Sequence, residues 1–350
     1  FVYSDLQVVD KLLNVLILGS PKIRGLLKGY LELRGDNCYT GFCKSFFEIT
    51  QNMVKTLGRP LFEYHTFFYV DGNTKIKHWS RECGLKVQVD YRFPDEAKKI
   101  INADYQQVLK YFNAQCLKQD IPPGVSFFLL GALEINPAIF GKISSYSSRY
   151  KFTDFNGNQH KVEWLGTTGK FWTVRANLLP SFSDPSLTCV VQVFRTEVNE
   201  GNQFVLYFMP HADIRDKVTK TKCFEEILYN LRIYVERTID KTMKAINDYP
   251  PDFTTLVFPV MNISTESDLS EVLNPVMSEI FRGEEITELY TKNVKLRDLR
   301  TCDYLYNKDR EYDKAELPAE QVGYLHSPFV FTVVDKKSMI FIKTGAYFGP

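Results

Sequence analysis

The residues with the most evident chemical capacity form one stretch near the C-terminus, Asn307-Lys308-Asp309-Arg310-Glu311-Tyr312-Asp313-Lys314-Ala315-Glu316-Leu317-Pro318. Side chains of an extended chain alternate between two faces. Asp309, Glu311 and Asp313 therefore fall on one face, and Lys308, Arg310, Tyr312 and Lys314 on the other. Neither face is suited to a sheet interior, because desolvating even one unpaired charge costs several kcal/mol or more. A register shift of one residue only exchanges acids for bases. The stretch reads as a solvated surface loop. From Asn307 to Gln321 it reaches at most ~50 Å at ~3.3 Å per residue, and Pro318 has no amide to give to a β-ladder.

Other chemistry is sparse. No Gly-x-Ser-x-Gly elbow, His-Glu-x-x-His pair or phosphate-binding glycine loop occurs, so an enzyme is not expected. The seven cysteines (38, 43, 83, 116, 189, 223 and 302) form no Cys-x-x-Cys pair and the five histidines are scattered, so neither a metal site nor a cofactor is expected. Cys38 and Cys43, the one close pair, flank Tyr39-Thr40-Gly41-Phe42 and suit a short disulfide in an oxidising compartment. Buried free thiols are the expectation for most of the rest. Asn262-Ile263-Ser264 is a formal N-glycosylation acceptor, used only if Asn262 is exposed.

The 350 residues carry 43 basic and 42 acidic side chains for a net charge of +1, a balance that favours neither nucleic acid nor an anionic membrane as partner. No apolar run approaches the ~18 residues of a membrane span. The opening Phe1-Val2-Tyr3-Ser4-Asp5 has no basic leader before an apolar core. No linker-like segment divides the chain. The expectation is one α+β domain over 1–350 with a core large enough to need no staples.

Local patterns supply the elements. Apolar residues from Leu6 to Leu18 and from Ile23 to Leu33 recur at helical spacing on either side of Gly19-Ser20-Pro21, and Phe42 to Leu57 is again helix-like. Phe62 to Val70 predicts a strand. Val87 to Tyr91 predicts a second, leading into a helix that opens Pro94-Asp95-Glu96 with proline and acids in its first turn. Val125 to Ile135, after Pro122-Pro123-Gly124, predicts a strand buried on both faces. Two hairpins follow, one turning at Asn156-Gly157-Asn158 and one pairing Cys189 to Val193 with Phe204 to Met209. Phe224 to Ile246 predicts a long amphipathic helix, Leu256 to Pro259 a strand, and Leu269 to Phe281 a further helix. The two apolar runs around Asp335-Lys336-Lys337-Ser338 predict a closing antiparallel hairpin.

That closing hairpin, with Pro328-Phe329 opening its first strand and Gly345 and Pro350 ending its second, resembles the C-terminus of the serpin superfamily. Tyr3-Ser4-Asp5-Leu6 stands where the family has Phe-Ser-Pro, so the family's first helix would lie upstream of Phe1. Ala97-Lys98-Lys99-Ile100-Ile101-Asn102, Tyr207-Phe208-Met209-Pro210 and Leu256-Val257-Phe258-Pro259 resemble further family segments in the same order. The resemblance implies a serpin-like α+β fold with a large central β-sheet, two further sheets and eight or nine helices.

It also implies a role for the charged stretch. Inhibitory serpins act as a spring: a protease cuts an exposed loop, and the freed segment enters the large sheet as a new central strand. The family's hinge is rich in Gly, Thr and Ala, whereas Asn307 to Ala315 is charged. The Asn, Trp and His that the family places around the insertion point fall here on Gly131, Ile139 and Leu296. The resemblance is therefore to a non-inhibitory serpin, of the kind found among insects: secreted, monomeric, its signal peptide absent from this chain, and acting through a protein partner. The alternative is an inhibitor of a trypsin-like serine protease using Lys308, Arg310 or Lys314. A glycosaminoglycan partner at Lys44, Lys55 and Arg59, or at Lys75, Lys77 and Lys86, is the weaker expectation.

Overall fold

The computed structural model describes residues 2–4, 62–71, 85–108, 127–135, 143–177, 189–198, 203–236, 249–261, 264–268, 299–304, 313–318, 321–336 and 339–350, with positions 6, 9, 10, 12, 16, 25, 27–29, 48, 117, 120 and 121. In chain order the described strands are β1 (Val2–Tyr3), β2 (Phe62–Asp71), β3 (Leu85–Val89), β4 (Phe127–Ile135), β5 (Ile143–Tyr146), β6 (Phe152–Thr153), β7 (Gln159–His160) and β8 (Trp164–Asn177). They continue with β9 (Val190–Val198), β10 (Gln203–Pro210), β11 (Phe253–Pro259), β12 (Ser264–Asp268), β13 (Leu299–Tyr304), β14 (Lys314–Ala315), β15 (Val322–Tyr324), β16 (Phe329–Asp335) and β17 (Phe341–Tyr347). The helices described along their length are α1 (Pro94–Val108) and α2 (Lys217–Tyr229).

The chain forms two compact units, each built from separated segments. One comprises Ser4–Asn136 and Ser264–Leu305, the other Phe1–Tyr3, Pro137–Ile263 and Tyr306–Pro350. The first holds a five-stranded sheet in the order β12-β13-β4-β2-β3, with β4 in the middle. β4 is antiparallel to β2 and parallel to β13, and its Leu130 and Gly131 are buried, which accounts for the uninterrupted apolar character of Phe127–Ile135. Beside it, α1 turns Ala97, Ile101 and Tyr105 onto Phe67, Tyr69 and Leu130. Its start follows from Pro94 at the first turn with Asp95 and Glu96 behind it. Asn102, buried within α1, is satisfied at both ends of its amide, donating to Leu117 O at 3.1 Å and accepting from Leu117 N at 2.7 Å.

The second unit is dominated by a ten-stranded sheet, with the order β1-β17-β16-β10-β9-β8-β11-β15 and β5 and β14 branching from β8. The closing hairpin β16–β17 is antiparallel as its pattern predicts, its turn fastened by Met339 N to Asp335 O at 2.8 Å and Asp335 N to Ile340 O at 3.0 Å. Helix α2 covers one face of this sheet, setting Cys223, Phe224 and Ile227 against Val191, Val193, Phe204, Leu206 and Val330. It begins at Lys217, earlier than its apolar periodicity suggests, because Asp216 caps it by accepting from Thr219 N at 2.7 Å. It stops at Asn230, whose side-chain amide donates to Glu226 Oε1 at 3.0 Å, so the expected single helix from Phe224 onward is broken. The predicted hairpin at 156–158 is shorter than expected: only Phe152–Thr153 and Gln159–His160 pair, and Asp154 collects the amides of Asn156 and Asn158 to close the turn.

The cysteines depart from expectation. Cys189, before β9, and Cys223, on α2, are joined by a disulfide with Cα atoms 5.3 Å apart, both fully buried among the residues just named. They are 34 residues apart in the chain and no spacing rule connects them. Cys38 and Cys43 lie outside the described residues. Replacing both Cys189 and Cys223 by alanine releases a 34-residue loop in the unfolded chain. The expected cost is about 3 kcal/mol, read as a lower urea midpoint with unchanged slope; an unchanged midpoint would show that the bond carries no stability.

Candidate functional site

The site that the sequence singles out is the loop between β13 and β15. Asn307, Lys308, Asp309, Arg310, Glu311 and Tyr312 lie outside the described residues, and Asp313 through Pro318 are described. Asp313, Lys314, Glu316 and Pro318 are exposed, and Ala315 and Leu317 are half-buried. The structure does more with them than leave them solvated. Lys314–Ala315 form β14, an edge strand parallel to β5, with Lys314 level with Ser145 and Ala315 level with Tyr146. The Ser145 amide donates to the Asp313 carbonyl at 2.8 Å. Sequence reasoning missed this pairing, since two residues of a charged run carry no strand signature.

The far end of the loop is fixed more heavily. Gln321 adopts φ 63°, rare for a residue with a side chain, and its carbonyl accepts from Thr254 N at 3.0 Å and Thr255 N at 3.3 Å. Val322–Tyr324 then pair in parallel with Thr255–Val257 of β11. Gly323 is needed at the centre of β15: a Cβ there would stand 3.2 Å from Leu256 Cδ1 and Phe253 Cδ2 and 3.3 Å from Phe194 Cε1. The Tyr324 ring lies 4.2 Å from that of Tyr150 and edge-on to Trp164, whose Nε1 donates to Tyr150 O at 3.1 Å. Burial, with Tyr150 beside it, raises the Tyr324 pKa.

The exit from β15 is braced by the short hairpin β6–β7. Thr153 N donates to His326 O at 2.8 Å. The hairpin is itself held by Asp154, which accepts from His160 Nε2 at 2.9 Å as well as from the turn amides. These partners, His160 foremost, favour the ionised carboxyl and lower its pKa to about 2.

The two anchors of the loop lie on opposite edges of one region of sheet. From one side to the other the strands run β14, β5, β8, β11, β15. Four inter-strand spacings of ~4.8 Å give ~19 Å sideways. Ala315 is level with Tyr146, Trp164 and Pro259, whereas Val322 is level with Thr255, four residues back along β11. Those four residues add ~13 Å along the strands, so the route over the sheet is ~23 Å. Seven Cα–Cα steps reach at most ~25 Å. The segment from Ala315 to Val322 is a strap with almost no slack.

In the other unit, β13 and β4 are hydrogen-bonded neighbours from Leu299–Leu129 to Tyr304–Glu134. The loop follows β13 directly, and the other side of β13 is occupied by antiparallel β12. A segment entering this sheet beside β13 must therefore separate β13 from β4. Of the three positions expected to hold polar insertion-point residues, Gly131 sits on this seam opposite Thr301, and Ile139 and Leu296 lie outside the described residues. Asn262 and the side chains of Lys44, Lys55, Arg59, Lys75, Lys77 and Lys86 also lie outside them.

Comparison of the whole fold with solved structures settles its class. Native protease nexin-1 with heparin superposes with a TM-score of 0.68 at 14% identity, covering 100% of this chain and 92% of that one. The chain has the serpin fold. SRPN18 from Anopheles gambiae and human glycosylated kallistatin each match with a TM-score of 0.67 at 14% identity, over 100% of this chain and 91% of theirs. No family model and no curated protein matches the sequence. The expected α+β serpin architecture is therefore present, recovered through backbone geometry at an identity too low for sequence comparison to register.

Two measurements test the anchoring. Gly323→Val should force apart the side chains around β15 and destabilise the protein by about 1–3 kcal/mol in urea unfolding, with the loss absent if β15 is loosely held. Because the Asp154 pKa is depressed, its stabilising effect is complete above the ordinary carboxyl value of ~3.9 and is lost as pH falls through about 2. The side-chain carboxyl resonance of Asp154 should titrate near 2 and the Thr153 amide should lose protection over the same interval; a midpoint near 4 would mean that His160 does not engage it.

Proposed function

We propose that this is a secreted serpin-fold protein that does not inhibit proteases by strand insertion and acts by binding a protein partner. The observation that carries the reading is the strap. Backbone groups of Asp313 to Ala315 are engaged with β5, so they are not presented to a protease cleft, which must itself pair with an extended substrate backbone. The charge pattern of residues 307–314 points the same way, because an inserted strand would carry acids into one face of the sheet or bases into the other. The buried Cys189–Cys223 disulfide supports the extracellular assignment. A single domain over 1–350, monomeric and without catalytic activity, completes the proposal.

One observation favours inhibition of a trypsin-like serine protease instead. Lys314 is exposed within the loop, and the neighbours of this fold include mouse protein-Z dependent protease inhibitor. A glycosaminoglycan partner is supported only by the heparin of the protease nexin-1 structure and by the lysines named above.

The readings separate on cutting the loop. Limited trypsin digestion should occur at Lys308, Arg310 or Lys314 without forming an SDS-stable complex, and the cut protein should melt at the same temperature as the intact one or lower. A large rise in melting temperature, or a complex surviving SDS with any trypsin-, chymotrypsin- or elastase-like enzyme, would reject the non-inhibitory reading.

A further inference from the structure

The edge that holds the loop is larger than what occupies it. β5 presents Ile143–Tyr146 on its outer side, and β14 covers only Ser145 and Tyr146. Beyond Ala315 the chain leaves the β5 direction, because the strap must turn towards Gln321 and β11. Residues Ser147 and Ser148, which continue β5, are therefore not followed by β14. They border instead a cleft of about 310 Å³ whose opposite wall includes Lys161, Glu163 and Trp164.

We infer that the outer edge of β5, together with this cleft, is an acceptor site for an extended peptide segment of a partner protein, covered in the free molecule by the chain's own Lys314–Ala315. The inference deepens the partner-binding reading and rests on it. Its physical basis is a difference in reach. A partner strand running parallel to β5 is not tied to Gln321, so it can pair along all of Ile143–Tyr146 and carry on past Ser147 and Ser148. The chain's own segment makes two residue pairs and then diverges. Each additional backbone hydrogen bond favours the longer strand, and a residue placed past Tyr146 would bring its side chain to the cleft, where Lys161 and Glu163 offer both signs of charge. The favoured ligand is thus an extended, proline-free segment with β-forming residues. Its binding releases β14, slackens the strap and exposes Asp313 to Pro318.

The test uses the full chain and an acetylated, fluorophore-labelled peptide Asp-Lys-Ala-Thr-Val-Thr, which copies Asp313–Ala315 and then continues as a strand instead of a strap. Ala315→Pro removes a backbone donor from the exposed loop and frees the β5 edge without touching the sheet. The variant should bind the peptide about tenfold more tightly than the wild type by fluorescence anisotropy. In the wild type, saturating peptide should remove hydrogen-exchange protection from residues 314–315 while the Ser145 amide stays protected. Equal binding by the two proteins, or binding that leaves 314–315 protected, would overturn the assignment, as would concentration-dependent dimerisation of the variant without peptide binding. Any of these with an unchanged melting temperature on loop cleavage refutes the β5 site alone, whereas a raised melting temperature refutes the partner-binding reading on which it rests.

Discussion

Seven Cα–Cα steps between Ala315 and Val322 govern what this loop can do. Both ends are held by backbone pairing, one on β5 and one on β11, and the route between them uses nearly the whole reach of the chain. A loop in that condition has few conformations, so holding it costs little further entropy. For the same reason it cannot bulge outward far enough to present a stretch of free backbone. Slack has to come from peeling off an anchor, and the anchors are unequal. β15 is set by three residue pairs, two hydrogen bonds to Gln321 O and a glycine packed among Leu256, Phe253 and Phe194; β14 is two residue pairs on an exposed edge. Release must begin at β14.

The rigid counterpart to this strap is the sheet beneath α2. β10, β16 and β17 are buried along their whole lengths, and their polar side chains are paired rather than exposed. Gln203 donates to Asp335 at 3.1 Å, and Thr332 and Thr344 meet across the hairpin at 3.0 Å. Arg195, fully buried on β9, lies with its guanidinium 4.9 Å over the Phe204 ring and donates to Glu197 at 3.1 Å. Burial lowers its pKa and Glu197 opposes the shift, which keeps the cation in place. The Cys189–Cys223 bond fixes α2 to the same sheet. β11, which anchors the strong end of the loop, belongs to this sheet through β8 and β9 and shares its stiffness.

What the sequence disclosed, and what it withheld, follows the range of the forces involved. β16–β17, β9–β10 and α1 are written locally, in alternation, turn residues and a proline followed by acids, and each lies within a few residues of its expected place. The identity of the fold was legible because several such segments occur in a fixed order. Non-local pairings were not. Nothing near Cys189 points to Cys223, and nothing in Lys314-Ala315 marks a strand, because its partner β5 lies about 170 residues earlier. Asp216 as a cap was readable in principle, since Asp stands three residues before Thr219, yet the apolar period of α2 starts only at Cys223 and draws the eye too late.

Charge in the loop then acquires a second meaning. A run of alternating acids and bases keeps a segment out of a sheet interior, but it is well suited to a sheet edge, where both faces of the added strand remain wet. Lys314 on β14 is a residue type that blunts edges in general, and here it sits on the one edge position that a competing strand would need. The same composition that disfavours insertion into the five-stranded sheet therefore permits a shallow, reversible pairing on the ten-stranded one. Insertion would require the β4–β13 ladder to part over its full length and would bury charges afterwards. Exchange at β5 requires only two pairs to break and buries none. Between these two events the smaller barrier belongs to exchange, which makes the outer edge of β5 the place where this serpin fold is most easily changed by another chain.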